Sequence, residues 1–311
     1  VGSEMCIRDR DNPSYRARRI GLPLLAGFLG LGDPGRTLHI YSMLNAAFWV
    51  LLLFATIRLV GLERPRDFLL LAALVWTTGS LASMARALTD LPAAVLGFLA
   101  LLLHNQGYVP AILLGMTALI KDVSMLGFAA MPWTGNDRDK KFSRLVISAL
   151  IMLLPIILWA VYVHLRVSAG SPTGSKNFSC PLVAFTQKVS QAAHSLKTDF
   201  SGKPFLHQLF LIFEFLCPLS LCAQSAYFCV KMKISSEIWR FGIGFVVLFS
   251  VLGASVWQEQ FAYSRVLLPL SFAFNLLLHR YEHGKTFACW YFLGNVGMFW
   301  LAVETLWQII H

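Results

Sequence analysis

Six charged side chains interrupt the apolar stretches of this sequence and could form a functional site. They come from separate segments of the chain, and they are Arg86, Asp90, Lys121, Asp122, Glu259 and Arg265. Ionisable residues inside apolar segments are costly, so they normally face protein or a water-filled cavity and often mark a site. Arginine and lysine can hold an anionic group, and carboxylates can orient them. The opposing interpretation is that each charge only anchors a helix at a membrane interface.

The usual signatures of soluble enzymes are absent from the sequence. It contains no CxxC, HExxH, GxSxG or glycine-rich phosphate loop, and its 8 histidines are scattered. No spacing among the 6 cysteines indicates a disulfide framework or a zinc site. We therefore expect no organic cofactor. The two dispersed carboxylates Asp90 and Asp122 allow a divalent metal without specifying one.

The composition indicates a protein whose main solvent is lipid. Hydrophobic residues make up 57% of the 311 and charged residues 14%, and the mean hydropathy is +0.63. Nucleic acid is a poor explanation for the net charge of +10, because basic residues of membrane proteins concentrate in cytoplasmic loops and fix the orientation. The lipid bilayer is the first partner that the sequence predicts.

Apolar runs of nearly 20 residues are the elements that must position these charges. They predict an all-α, polytopic transmembrane bundle of about 8 to 10 membrane helices, including short hairpin helices. The clear candidates are Leu38–Val60, Phe68–Met84, Leu145–Val167, Leu206–Val230, Ile238–Trp257 and Phe287–Ile310, with two shorter runs at Leu91–Leu103 and Val266–Leu278.

The positions of the basic residues predict which loops share a side. Basic clusters fall near residues 58–66, 138–144, 231–240 and 280–285, which predicts four cytoplasmic turns. The chain must then cross an even number of times between the first two clusters, so Gly107–Trp133 must be a hairpin that turns at Lys121-Asp122 on the outer side. All six charges named above fall near that outer face.

The chain also divides by composition into segments. Val1–Arg10 resembles a translated sequencing adapter and is excluded from the fold argument. Residues 11–37 are expected to form an outer juxtamembrane segment, in which Ile20–Leu31 is an amphipathic helix and Arg18 and Arg19 bind lipid phosphates. Residues 38–311 form the bundle, with a semi-ordered outer loop at 168–205.

Four stretches resemble the polytopic C-superfamily of glycosyltransferases (GT-C), which includes protein O-mannosyltransferases and the aminoarabinose transferases of lipid A. The stretches, taken in chain order, are Asp11-Asn-Pro-Ser-Tyr-Arg-Ala-Arg-Arg-Ile20 with Leu22-Pro-Leu-Leu-Ala26, Arg86-Ala-Leu-Thr-Asp-Leu-Pro92, Gly115-Met-Thr-Ala-Leu-Ile-Lys-Asp122 and Tyr263-Ser-Arg-Val-Leu-Leu-Pro269. The resemblance covers nearly all of residues 11–311, although each motif is short and degenerate.

The resemblance implies transfer of a sugar from a polyprenyl-phosphate donor to a glycan, lipid or protein acceptor on the outer face of the bacterial inner membrane. The substrate-binding residues that it implies are Arg18, Arg19, Arg86, Asp90, Lys121, Asp122, Tyr263 and Arg265. Asp90 would orient Arg86, and Asp122 would orient Lys121. The family's catalytic aspartate stands in a first outer loop that has no counterpart here, so we expect the natural N-terminus to lie upstream and this fragment to be inactive.

Two other classes of function fit a polytopic chain. A transporter or lipid flippase would place its substrate path near the membrane midplane and often shows internal repeats, which we do not find. A non-enzymatic scaffold would use the charges only to pin helices together. The transferase predicts instead an outward-open cavity at which Arg86, Lys121 and Arg265 converge.

Overall fold

The computed structural model describes residues 19–131, 138–166, 177–202, 204–259 and 261–304, without the side chains of residues 138–141. Three sequence predictions fall outside the described residues: the adapter-like segment Val1–Arg10, the phosphate-binding role of Arg18, and residues 168–176 of the predicted outer loop. The described chain is all-helical, and its one isolated bridge pairs Phe178 with Leu252. The predicted all-α class is confirmed.

Fourteen α-helices and two 3-10 segments lie among the described residues, and residues 300–304 are helical as well. The helices are α1 (Gly21–Leu29), α2 (Pro34–Val60), α3 (Pro65–Val75), α4 (Thr78–Ala85), α5 (Asp90–Leu102), α6 (Val109–Ile120), α7 (Arg138–Arg166), α8 (Val183–Thr198), α9 (Phe205–Val230), α10 (Glu237–Val251), α11 (Ala254–Gln258), α12 (Ala262–Val266), α13 (Leu268–Tyr281) and α14 (Gly284–Asn295). The 3-10 segments are Asp122–Ala130 and Val296–Met298.

Helix α13 is the centre of the bundle. Every residue from Leu268 to Leu278 is buried, and the helix packs against α3, α5, α9, α10, α12 and α14. A helix that is apolar on all sides must be surrounded by other helices. The short apolar run predicted at Val266–Leu278 is therefore the core of the fold.

Within the part of the chain that the structure describes, three helices are long and apolar enough to cross a membrane, namely α2, the Phe142–Arg166 part of α7, and α9. Helices α3 and α4 add a fourth candidate if the pair counts as one span, with a bend of 44° between them. The expected count of about 8 to 10 membrane helices is not confirmed by helix length, because α5, α6, α10, α13 and α14 have only 12 to 15 residues each.

The break between α3 and α4 has its backbone groups satisfied by side chains. Trp49 donates its indole N–H to the Val75 carbonyl over 3.0 Å, and the Ser80 hydroxyl donates to the Leu74 carbonyl over 2.9 Å. These bonds replace two bonds that the helical ladder loses at the bend. The spanning candidate predicted at Phe68–Met84 therefore corresponds to the bent pair α3 and α4. The sequence did not reveal the bend, because one of the compensating bonds comes from Trp49 on another helix.

The predicted break at Lys121-Asp122 is present. Helix α6 ends at Ile120, Lys121 is extended with φ of −155°, and the 3-10 segment Asp122–Ala130 packs back against α6. The two elements form a short hairpin. A hairpin here was predicted because the chain must cross the membrane an even number of times between the first two basic clusters. Gly115 lets α7 approach this hairpin closely, because a Cβ there would lie 3.3 Å from the Met152 Cα.

Helix α8 lies within the predicted outer loop at 168–205. The buried face of α8 consists of Ala184, Lys188 and Ala192, which recur every four residues. The helix packs against α9 and α11, and Phe185 contacts Trp257 at a ring distance of 5.6 Å. A face of two alanines around a lysine has little hydrophobic signal, so the sequence pattern did not reveal it.

A neutral polar network ties α9, α13 and α14 together inside the bundle. Asn275 and Asn295 exchange side-chain hydrogen bonds of 3.0 and 2.9 Å. The Gln224 side chain accepts from Ser271 over 3.0 Å and donates to the Gly294 carbonyl over 2.7 Å. Interhelical bonds of this kind hold helices together where water is excluded.

Candidate functional site

Asp90, Lys121 and Arg265 meet at one end of the bundle and are called here the Asp90 cluster. Asp90 begins α5, Lys121 follows the last residue of α6, and Arg265 lies in the last turn of α12. An acid at a helix N-terminus and cations at helix C-termini are each favoured by the helix dipole. The antiparallel packing of α5 against α6 brings the acid and the lysine together, although 31 residues separate them.

The Asp90 carboxylate is shared by the two cations. The Lys121 Nζ donates a hydrogen bond to Asp90 Oδ1, and the Arg265 Nη1 lies 3.8 Å from Asp90 Oδ2. Arg265 also donates from Nη2 to Glu259 Oε1 over 2.6 Å. The Lys121 and Arg265 side chains are only 6% and 8% exposed. Two buried cations therefore face one buried carboxylate, while Glu259 is 44% exposed.

Arg19 and Asp122 form the edge of this region. The Arg19 Nη2 lies 3.9 Å from Asp122 Oδ1, with side chains 29% and 50% exposed. The expected pairing of Asp122 with Lys121 is wrong, because consecutive side chains point in different directions. Lys121 turns to Asp90 instead.

Arg86 does not join the cluster. Its side chain is exposed, and it has no ion-pair partner in the part of the chain that the structure describes. The expected pairing with Asp90 is therefore wrong. Ala87 adopts a left-handed conformation with φ of 49°, so the backbone turns sharply between Arg86 and Asp90, and the two do not share one helical face.

Tyr263 lies two residues before Arg265 on α12 and therefore points to the other side of that short helix. Its ring is fully buried and stacks on Trp257 at 4.7 Å with an interplanar angle of 26°. Its hydroxyl lies beside the Cys217 thiol. Tyr263 thus belongs to the aromatic packing between α9, α11 and α12 and not to the Asp90 cluster.

A second buried ion pair at this end was not predicted from the sequence. Lys188 of α8 donates to Glu214 of α9 over 2.6 Å, with side chains 6% and 23% exposed. A signal was present, because Glu214 is the single charged residue of α9, and a lone carboxylate in an apolar helix requires a partner. The sequence could not identify Lys188 as that partner, because Lys188 lies in a segment with no clear helical periodicity of hydrophobic residues.

The other end of the bundle carries a separate set of ion pairs. Asp67 of α3 lies 2.7 Å from the His279 Nε2 on α13, Glu237 at the start of α10 pairs with Arg280, and the Lys231 Nζ lies 3.1 Å from Glu282. We call these three pairs the inner layer. The Asp90 cluster and the Lys188–Glu214 pair together are called the outer layer.

The chemistry available to the outer layer is the binding of an anion. The buried cations Lys121 and Arg265 could hold an anionic group in surroundings that weaken competition from water, although Asp90 and Glu259 together balance their charge. No group of three or more His, Cys, Asp or Glu side chains within the described ranges could hold a metal ion. Two cavities lined wholly by described residues lie elsewhere, one beside Met131 and one along the exposed face of α8.

Comparison with known proteins identifies no relative of this chain. No protein family model, no curated protein and no solved structure matches this chain.

Proposed function

We propose that this chain is the multi-pass bundle of a bacterial inner-membrane protein that, with a catalytic aspartate from outside this chain, transfers a sugar from a polyprenyl-phosphate donor to an acceptor on the outer face. The observation that carries the proposal is the pair of buried cations, Lys121 and Arg265, that share the single carboxylate of Asp90. Helices α5, α6, α10, α13 and α14 complete the bundle between the long spans, so that the short hairpin elements bring the count of membrane helices to about 8 to 10.

The proposed reaction builds negative charge where the cations lie. The acceptor oxygen bonds to the anomeric carbon, the bond from that carbon to the phosphate oxygen breaks, and its electron pair leaves with the polyprenyl phosphate. Fixed cations in a partly dry site stabilise such a leaving group better than the same cations in water. The hydroxyl proton passes to a carboxylate base, which the family resemblance assigns to an aspartate outside the motifs of this chain.

Each remaining candidate residue has a proposed place around this reaction. Arg86 is exposed after α4 and Arg19 lies beside Asp122, so both are suited to receive the phosphate before it reaches the cluster. Asp90 orients Lys121 and Arg265. Arg18 keeps its proposed role in lipid-phosphate binding. Tyr263 contributes only packing behind Arg265, because its ring is fully covered.

Binding of the donor's phosphate end is the first test. The probes are tritiated farnesyl phosphate and farnesol, measured by scintillation proximity on the purified chain in lipid nanodiscs. We expect farnesyl phosphate to bind and farnesol not to bind. Lys121→Gln and Arg265→Gln should each weaken farnesyl phosphate binding by tenfold or more, about 1.4 kcal/mol, because each removes one buried cation.

The matched control is Lys231→Gln, which removes a cation of the inner layer and should leave binding unchanged. Circular dichroism of each variant verifies that the fold is retained. Equal binding of farnesol, or an equal loss in Lys231→Gln, would exclude the Asp90 cluster as a phosphate site.

Transfer itself is measured with membrane vesicles that contain either this chain or the natural full-length protein. The donors are undecaprenyl phosphates that carry labelled glucose, mannose or aminoarabinose, and the readout is loss of label from the lipid. Because the expected carboxylate base is not among the residues of this chain, the proposal expects the chain alone to consume no donor and the full-length protein to consume one donor in a manner that depends on Arg265. If phosphate binding is intact and the full-length protein consumes no donor, the transferase function is rejected for these sugars.

The second candidate is a transporter or lipid flippase, which the buried polar network of Gln224, Ser271, Asn275 and Asn295 favours. Polar groups in the middle of a bundle can line a substrate path. Scrambling of a fluorescent polyprenyl phosphate between leaflets of proteoliposomes tests this function. Rapid scrambling that Asn275→Leu abolishes and Arg265→Gln preserves would favour the flippase over the transferase.

A further inference from the structure

The end of the bundle that carries the inner layer has more positive charge than its own carboxylates balance. Three turns meet there, between α2 and α3, between α9 and α10, and between α13 and α14. Their basic side chains within the described residues are Arg58, Arg64, Arg66, Lys231, Lys233, Arg240, Arg280 and Lys285, and their acidic ones are Glu63, Asp67, Glu237 and Glu282. The cations are thus twice as many as the carboxylates, and an anionic partner is attracted to this end.

Tyr281 gathers two of these cations from different turns. It is the last residue of α13 and is 37% exposed. The Lys233 Nζ, from the turn between α9 and α10, lies 5.4 Å from the centroid of the Tyr281 ring. The guanidinium carbon of Arg280 lies 5.6 Å from the same centroid. Attraction between a cation and an aromatic ring holds both groups there. We call Lys233, Arg280 and Tyr281 the Tyr281 site.

The cations of the Tyr281 site are only partly neutralised. Arg280 pairs with Glu237 through Nη1, and its side chain remains 52% exposed. In the part of the chain that the structure describes, Lys233 has no carboxylate within ion-pair distance. The site therefore presents two cations against one carboxylate, and Lys285 adds a further exposed cation four residues after Tyr281.

The turn that carries Lys233 is held in place by hydrogen bonds. The Arg240 Nη1 donates to the carbonyls of Ile234 and Ser235 over 3.1 and 3.0 Å. The backbone N–H of Ser236 donates to the Lys233 carbonyl over 2.8 Å. Arg240 is thus occupied in fixing the turn and leaves Lys233 to meet a partner. A turn fixed in advance loses little conformational entropy when a ligand binds.

Exposed apolar side chains beside the site indicate a lipid as the partner. Val230, Met232 and Ile234 are exposed by 66%, 63% and 59%, and they alternate with Lys231 and Lys233. Helix α9 is long and apolar enough to span a membrane and ends at Val230, so this turn lies where acyl chains meet phosphates. Apolar side chains suit the acyl chains at that depth, whereas lysine reaches the phosphates and tyrosine favours the interface between them.

From this arrangement we infer that the Tyr281 site binds the head group of an anionic phospholipid. Its phosphodiester lies between Lys233 and Arg280, and its acyl chains lie against Met232 and Ile234. A zwitterionic lipid carries the same phosphate but brings its own cation, which the positive charge of the site disfavours. The site lies at the other end of α13 from the Asp90 cluster, so the inference goes beyond sugar transfer and does not depend on it.

Native mass spectrometry of the purified chain tests this inference. The chain in detergent micelles is titrated with dioleoyl phosphatidylglycerol or with dioleoyl phosphatidylcholine, which have identical acyl chains. The Kd of the first bound lipid is obtained from the intensities of the adducts. We expect phosphatidylglycerol to bind tenfold tighter or more, because only its head group has a net negative charge. Equal affinity for the two lipids would overturn the inference.

A matched pair of lysine variants locates the bound lipid. Lys233→Gln should weaken phosphatidylglycerol binding about fivefold, because it removes one basic side chain at the membrane surface. Lys197→Gln removes an exposed lysine from the last turn of α8 at the outer end and should leave binding unchanged. Equal losses in the two variants would show that lipid follows the net charge of the protein, and the Tyr281 site would be rejected.

Two substitutions of Tyr281 separate its ring from its hydroxyl. Tyr281→Phe keeps the ring that holds Lys233 and Arg280, so binding should be retained. Tyr281→Leu keeps an apolar side chain without the ring and should weaken phosphatidylglycerol binding about threefold. Unchanged binding in Tyr281→Leu, or an equal loss in both variants, would contradict a site organised by the ring.

Competition with inorganic phosphate distinguishes a lipid from a soluble anion. Ammonium phosphate replaces ammonium acetate at constant ionic strength and should leave the phosphatidylglycerol adduct in place. The double variant Met232→Ser with Ile234→Ser should weaken that adduct, because it removes the contact with the acyl chains. Displacement by phosphate would overturn the lipid as the ligand. Failure of farnesyl phosphate to bind would reject the proposed function and leave these results unaffected, so the two failures are distinguishable.

Discussion

The charged residues show what a sequence reveals about a site and what it conceals. Asp90, Lys121 and Arg265 stand out because they interrupt apolar segments, and the structure brings them together. Their pairing could not be predicted, because the sequence neighbours Asp122 and Arg86 compete as partners until the packing of α5 against α6 is known. Glu214 and Lys188 were missed, since a partner 26 residues away leaves no local pattern.

Loss of the shared carboxylate is expected to destabilise the fold. Asp90→Asn leaves Lys121 without its buried anion and Arg265 with Glu259 alone, and breaking a buried pair by removing one partner costs about 3 kcal/mol or more. Asp122→Asn is the matched control, because its side chain is half exposed and such pairs contribute about 1 kcal/mol at most. The free energy of unfolding is measured by titration with sodium dodecyl sulfate in mixed micelles. Equal values for the two variants would show that the Asp90 cluster contributes little to stability.

At the scale of elements, hydrophobic length predicted most helices, whereas the one break that was predicted, at Lys121-Asp122, was indicated by charge. The run predicted at Leu206–Val230 is α9, and the run predicted at Leu38–Val60 is α2 with one further turn at its start. The run at Ile238–Trp257 is instead divided between α10 and α11. The run at Phe287–Ile310 passes from α14 into a 3-10 turn at Val296 within the described residues. Such breaks depend on hydrogen bonds and packing contacts with other helices, and the hydropathy of a segment carries no information about these contacts.

The contact between α9 and the turn Val296–Met298 is expected to tolerate no side chain at Gly297. A Cβ there would lie 2.3 Å from the Leu216 carbonyl carbon, and backbone atoms cannot move aside as a side chain can. Gly297→Ala should therefore lower the free energy of unfolding by about 2 kcal/mol or more. Gly27→Ala on α1 has no atom within 4 Å of its Cβ and should be neutral or stabilising by about 0.5 to 1 kcal/mol. Unfolding curves that overlap for Gly297→Ala and the unmodified chain would contradict this account of close packing.

The whole molecule is organised by two charge layers and by helices of two lengths. The basic turns predicted from the sequence agree with the placement of Lys231 and Arg280 in the inner layer. The outer layer gathers charges from α5, α6, α8, α9 and α12. Composition was sufficient to predict a membrane protein, whereas the position of each charge along the bundle follows only from where the helices begin and end.

Two native cysteines report the orientation of the chain. Cys180 lies exposed at the outer end, and Cys229 lies exposed at the end of α9 beside the inner layer. In right-side-out vesicles, a membrane-impermeant maleimide should label Cys180 and spare Cys229, because the basic inner layer belongs on the cytoplasmic side. Peptide mass spectrometry assigns the label, and detergent-dissolved protein, in which both thiols should react, serves as the control. Preferential labelling of Cys229 would invert the orientation.

The unequal helix lengths have a consequence for membranes of changing composition. Long spans accommodate a thinner or thicker bilayer by tilting, at a small free-energy cost for each ångström of mismatch. The spacing between the two layers is set by α13 and its ion pairs and has no such freedom. When growth temperature alters the acyl chains of the host lipids, α2, α7 and α9 should absorb the change while the distance between Asp90 and Arg280 stays constant. The protein would thus keep the Asp90 cluster at a fixed distance from the inner layer, whatever lipids surround it.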